Sequence, residues 1–131
     1  DAGDRSGMTL LEEWNRCKGW IEAALEYGSF GYDIDAVWDE IANPHSNTLL
    51  WPGKKSAVVT QLWVFPRARA LNYWLAGGDL HELTVEMRPH IEAFAKDIGC
   101  TDIIMAGRPG WGKPMGEHGY KRVWAAFRKE L

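Results

Sequence analysis

Residues 69–106, RALNYWLAGGDLHELTVEMRPHIEAFAKDIGCTDIIMA, decide the fold. Arg69 to Ala76 alternates as a strand, with Leu71, Tyr73 and Leu75 on one face and Asn72 and Trp74 on the other. Ala76-Gly77-Gly78-Asp79 then turns the chain. Asp79 and Glu82 stand three apart as a capping box, in which each side chain takes a backbone N–H of the other. Leu80, Leu83, Met87, Ile91, Phe94 and Ile98 follow at spacings of three and four, the stripe of a long helix with one buried face. Pro89 has no N–H to give, so it kinks this helix or divides it in two. Gly99 ends the helix, and Asp102 to Ala106 reads as a short strand. A strand, a helix and a strand of one sheet make a right-handed crossover between parallel neighbours.

Further along, the Gly107 to Gly110 turn feeds a short helix over Trp111 to His118, and Gly119 releases the chain into a last strand over 120–129. Working back, Ser56 to Phe65 is apolar on both alternating faces, as a covered central strand is, and its link to Arg69 is short enough for a hairpin. Thr48 to Trp51 is a short strand closed by Pro52-Gly53. Two helices precede it. The first, Thr9 to Tyr27, opens on a Thr9/Glu12 capping box and buries Leu10, Trp14, Cys17, Ile21 and Ala24. The second, Ile34 to Ala42, is capped by Asp33 and buries Ile34, Val37, Trp38 and Ile41. The expected architecture is α+β, an α/β/α layering around a mixed, mostly antiparallel sheet. A mobile arm over 1–8 precedes a single domain over 9–131.

A chain of 131 residues, 46% of them hydrophobic and 12% aromatic, has enough apolar side chain for one core. No apolar run reaches the length of a membrane span, and no signal-like start is seen, so a soluble protein is expected. Cys17 and Cys100 are far apart and read as small buried hydrophobes in a reducing compartment. His45, His81, His90 and His118 fall in no ligand spacing, so no metal is expected. Charge is uneven. Residues 1–47 hold ten acids against three bases, residues 48–107 balance, and residues 108–131 hold six bases against two acids. That polarity suits steering toward a partner or a second copy. The basic end has no dense lysine and arginine cluster, which argues against nucleic acid.

This order of elements, with its glycine turn before the long helix, Ile98-Gly99-Cys100 before a strand, and the pair Gly119-Tyr120, resembles the GNAT superfamily of acyl-coenzyme A dependent N-acetyltransferases. The likeness covers residues 48–131 well and the first two helices loosely. AGGDL, the GRPGW turn and GY before KEL resemble, more narrowly, small GNAT-like proteins encoded by tailed bacteriophages and prophages. The resemblance implies that cofactor pyrophosphate is bound by Gly77, Gly78, Asp79, Leu80 and His81 at the start of the long helix. That loop holds no Lys or Arg, and Asp79 puts a negative charge there. The family's general acid falls on Met115, which has no proton to give. The two central strands hold no Asp or Glu to serve as base, which leaves His81, His118 and Glu117 as substitutes, with Tyr120 as the further catalytic candidate.

Arg108 and Trp111 either face a partner or, in the case of Trp111, pin the short helix to the sheet. Trp20 lies off the main stripe of the first helix. Eight tryptophans are more than this core hides, so an exposed apolar patch is expected, and with it a protein partner or self-association. Two functions follow. One is a structural or interaction component without acetyltransferase chemistry, in the virion or host cytoplasm and with no cofactor. The other is an N-acyltransferase that uses acetyl-coenzyme A through uncommon residues.

Overall fold

The computed structural model describes residues 7–28, 30–106, 111–124 and 126–131. Of the expected arm over 1–8, only Gly7 and Met8 are among them, and the turn over 107–110 with Arg108 lies outside them. Two helices come first, α1 (Leu10–Gly28) and α2 (Ile34–Ala42), followed by β1 (Thr48–Pro52), β2 (Ser56–Phe65) and β3 (Ala68–Gly78). A helical stretch then runs as a π-helical segment, Glu82–Met87, into α3 (Arg88–Asp97); β4 (Asp102–Met105) and α4 (Gly112–Gly116) close the series.

The local signals hold at the helix starts. Thr9 N–H donates to Glu12 Oε1 at 2.8 Å and Glu12 N–H to Thr9 Oγ1 at 3.1 Å, a complete capping box. Asp33 Oδ1 accepts from Ala36 N–H at 2.8 Å. The four strands lie in the order β1-β2-β3-β4. The first two pairings are antiparallel, and β3 with β4 is parallel, from Ala70 opposite Asp102 to Tyr73 opposite Met105. The start of this parallel pair is tied to the helix end: Arg69 donates from Nη1 to the Ile98 carbonyl at 2.9 Å, and Thr101 N–H donates to the Arg69 carbonyl at 2.8 Å.

The sheet carries a core on each face. Trp14, Cys17 and Ile21 of α1 with Val37 and Ile41 of α2 pack on Ala57, Val59 and Leu75. On the other face, Leu83, Ile91 and Ala95 pack on Val58, Leu71 and Tyr73, with Met115 of α4 closing the cluster. Fully burying such side chains stabilises by about 1.5–3 kcal/mol each, so the two faces carry most of the fold.

Three expectations are corrected. Leu10 does not join the buried stripe: it is 47% exposed, and burial on α1 begins only at Glu13 and Trp14. Leu71, Tyr73 and Leu75 do not share a face. Val59 pairs with Leu75 but Thr60 with Tyr73, so β3 has one residue more than β2 at Trp74, and this bulge turns Leu75 over to the α1 side. The long helix is divided as expected, with Pro89 in the first turn of α3, and the segment before it is widened. Arg88 N–H bonds to the carbonyl of Leu83, five residues back; Pro89 cannot donate, its ring crowds the carbonyl four residues before it, and wider turns ahead of it relieve both. Finally, residues 120–124 and 126–131 form no strand, and Val123 and Phe127 are 70% and 95% exposed, so neither alternating face meets a core.

Candidate functional site

The glycine turn is built from the backbone outward. A Cβ on Gly77 would stand 2.3 Å from the carbonyl oxygen of Trp20, and one on Gly78 2.4 Å from that of Lys55. Gly78 also has φ +113°, which disfavours any side chain. Both glycines therefore let the end of β3 press on α1 and on the β1–β2 turn, and their space is filled by the chain itself. Asp79 caps the helix start as expected, accepting Glu82 N–H on Oδ1 at 2.8 Å, while Asp79 N–H is spent on the Lys55 carbonyl at 3.2 Å.

Glu82 does not return the capping bond. Its carboxylate accepts from Lys54 N–H and Lys55 N–H, each at 2.8 Å, and from the Ser56 hydroxyl. Burial alone would raise its pKa, but the Ser56 hydroxyl and the Lys55 and Lys54 N–H groups outweigh burial and hold it below the usual carboxylate range. From the other side Arg16 donates to the Gly53 carbonyl at 2.8 Å and to Glu13 Oε1 at 3.0 Å. The β1–β2 turn is thus gripped at its donors by Glu82 and at its acceptors by Arg16. A pyrophosphate at this helix end would meet two carboxylates, Asp79 and Glu82, whose own N–H groups are already bonded. The residues do not fit that group. Leu80 is 51% exposed there, and His81 pairs across solvent with Glu86 at 3.4 Å.

A second polar cluster stands at the far end of the helix. Tyr120 donates its hydroxyl to Glu92 Oε2 at 2.9 Å, and Arg88 Nη1 meets Glu92 Oε1 at 2.9 Å. Tyr73 lies beside it, its ring centre 6.4 Å from that of Tyr120. The Tyr73 hydroxyl is buried and makes no hydrogen bond of ordinary geometry, although the Tyr120 hydroxyl is close enough to act on it electrostatically. Burial pushes Tyr73 up to about 12, with Tyr120 opposing part of the rise. Burial also raises Tyr120, and Tyr73 and Glu92 add to it. Both phenols stay protonated at neutral pH, and the Tyr120 proton is held by Glu92.

The sequence candidates divide accordingly. Tyr120 belongs to a built cluster, whereas His118 and Glu117 lie exposed after α4. Met115 is buried in the core beneath them. Trp111 is partly buried against the same core, and Trp20 packs at the edge of the α1 core. Arg108 lies outside the described residues. Sequence reasoning missed Glu82 as a turn anchor and Arg88, Glu92 and Tyr73 as partners of Tyr120. The spacing of Arg88 and Glu92, four apart on one helix, was a readable signal; the reach of Glu82 to a turn distant in sequence was not. Burial pushes the Cys100 thiol up, only partly opposed by Arg69, which disfavours the thiolate that a nucleophile needs. Among the described residues no three His, Cys, Asp or Glu side chains could hold a metal ion, and no helix is long and apolar enough to cross a membrane.

The layered sheet, the glycine turn into a long helix and the parallel strand that follows define a mixed α+β fold of GNAT-like layout. Two crystal structures of TTHA1254 from Thermus thermophilus, the wild type and a point mutant, are similar to it at TM-scores of 0.63 and 0.64. Each covers 94% of this chain and 93% of its own, at 11% sequence identity, a likeness of fold alone. No protein-family model matches the sequence, and no curated protein matches it.

Proposed function

We propose that this chain is a GNAT-fold binding component that does not carry out acetyl transfer, of the type encoded by tailed phages and associated with the virion or its assembly. One observation carries the first part: the helix end where the fold family binds a pyrophosphate holds Asp79 and Glu82, and its glycine space is occupied by the Trp20 and Lys55 carbonyls. Exposed aromatic surface supports a binding role. Trp63, Val64 and Phe65 stand out at the β2–β3 hairpin end, with the Trp63 and Phe65 rings edge to face at 6.2 Å. The phage assignment is supported by the likeness of the AGGDL, GRPGW and GY marks.

A second reading, an N-acyltransferase using acetyl-coenzyme A, is favoured by one feature. Tyr73 and Tyr120 lie where the parallel pairing of β3 and β4 stops and β3 continues past the bulge. In that reading Tyr120, hydrogen-bonded to Glu92 at rest, gives its proton to the departing thiolate and regains one from the acylated amine. Isothermal titration with acetyl-coenzyme A separates the two. No heat of binding at millimolar cofactor is expected; micromolar binding overturns the first reading.

A further inference from the structure

The stretch Lys121 to Leu131, KRVWAAFRKEL, holds four bases and one acid. Its described residues form neither helix nor strand, and Trp124 at 57%, Val123 at 70% and Phe127 at 95% are open to solvent. Turned as a helix, however, Val123, Trp124, Phe127 and Leu131 fall within an arc of about 100°, with Arg128 and Lys121 flanking it and Arg122 and Lys129 on the opposite side. A helix this short does not hold alone in water, so such a face forms only against another surface.

One contact identifies that surface. The Arg128 guanidinium lies 4.7 Å from the ring centre of Phe30, in the α1–α2 connection. Next to Phe30 in the chain, itself 79% exposed, stand exposed Tyr27, the exposed acids Glu26 and Asp35, and Tyr32, whose ring meets Trp74 edge-on at 4.7 Å. This acidic, aromatic corner complements a basic, apolar segment. Within one chain the match is incomplete, because Arg128 is engaged while the neighbouring Phe127 stays almost fully bare. Residues 1–47 carry −7 and residues 108–131 +4, so two copies attract where these ends meet.

We infer that the Lys121 to Leu131 segment docks on the α1–α2 corner of a second copy of this chain, in a reciprocal exchange that closes as a two-fold dimer. Donor and acceptor surfaces are on the same chain, so each copy satisfies the other. The exchange keeps the Arg128 to Phe30 contact and changes only the chain that supplies it. Phe127 and Trp124 then lie among Tyr27, Phe30 and Tyr32 of the other copy, and Arg128 and Lys121, at the edge of that face, meet Glu26 and Asp35. The inference deepens the binding role proposed above and rests on it only for the idea that surface, not chemistry, is the working part.

Sedimentation equilibrium of the full chain, from micromolar to millimolar, tests it. A monomer–dimer equilibrium that weakens with salt is expected, and Phe127→Asp, Arg128→Glu and Phe30→Ala should each raise its dissociation constant about tenfold or more. Far-ultraviolet circular dichroism of the variant monomers should match that of the parent diluted to its monomer, since all three side chains are outside the core. A monomer at every concentration overturns the inference, as does a dimer indifferent to all three substitutions. Monomers that bind anionic lipid vesicles through the segment also overturn it, in favour of a membrane surface. Acetyl-coenzyme A binding by a chain that still dimerises through these residues overturns only the earlier reading; a monomer that ignores the cofactor overturns only this one.

Discussion

Glu82 and Glu92 sit at opposite ends of one helical stretch and are held in opposite ways. Glu82 is 7% exposed and satisfied by two backbone N–H groups and a hydroxyl, all from one turn. Glu92 has a side chain 28% exposed and is satisfied by two side chains, Arg88 and Tyr120. A carboxylate bound by backbone fixes where a turn lies, because its donors cannot rotate away. A carboxylate bound by side chains fixes less and is easier to re-use. The first end therefore belongs to the architecture, and the second is where chemistry or binding would be gained at the least cost in stability.

The largest break in this comparison comes from the glycine that lets the first end close. Gly78→Ala combines a left-handed backbone with a clash against the Lys55 carbonyl, and a loss of about 3–4 kcal/mol is expected in urea unfolding. Glu82→Ala follows. It leaves the buried Ser56 hydroxyl and the part-buried Lys54 and Lys55 N–H groups without their acceptor and should cost about 2–3 kcal/mol, with Glu82→Gln recovering part of this. The pH dependence sharpens the point. The folded pKa of Glu82 lies below its ordinary value of 4.5, so its contribution is present above 4.5 and is lost as pH falls through the folded value. The melting temperatures of parent and Glu82→Gln should accordingly converge as pH drops from about 5 toward 3.

At the second end smaller effects are expected. Tyr120→Phe removes a hydrogen bond to a carboxylate and should cost about 1.5 kcal/mol. Tyr73→Phe removes a hydroxyl that no ordinary hydrogen bond satisfies, and should change stability by less than about 0.5 kcal/mol or raise it. Alkaline titration gives a matching readout. Tyr73 is raised to about 12, so its contribution is complete below pH 10 and fades as pH rises toward 12; its phenolate absorbance should be delayed in the parent and absent in Tyr73→Phe.

Much of this fold was legible in the sequence, because it rests on local signals. The Thr9/Glu12 box, the Asp33 and Asp79 caps, the hairpin and the crossover to a parallel strand each follow from residues a few positions apart. What was not legible depended on partners distant in sequence. The bulge at Trp74 is a property of two strands, so no alternation within Leu71 to Leu75 announces it. Glu82 reads as half of a capping box until the β1–β2 turn offers it better donors. The closing segment has a strand-like alternation and a helical stripe at once, and without a surface to choose between them it adopts neither. The candidate site was half legible: Tyr120 is marked by its position, but the bare hydroxyl of Tyr73 and the Arg88–Glu92 pair beneath it depend on how α3 lies across the sheet.

The π-helical segment Glu82–Met87 also makes the helix intolerant of a change in length. Deleting one residue there would restore regular α-helical bonding but turn everything after it by about 100° about the helix axis. Ile91 and Ala95, now 1% and 2% exposed, would swing out of the core, and Glu92 would lose its alignment with Tyr120. The extra residue thus acts as a phase setting between the two ends. It allows Glu82 to grip its turn and Ile91 to seat on the sheet at the same time, and a chain one residue shorter could keep only one of them.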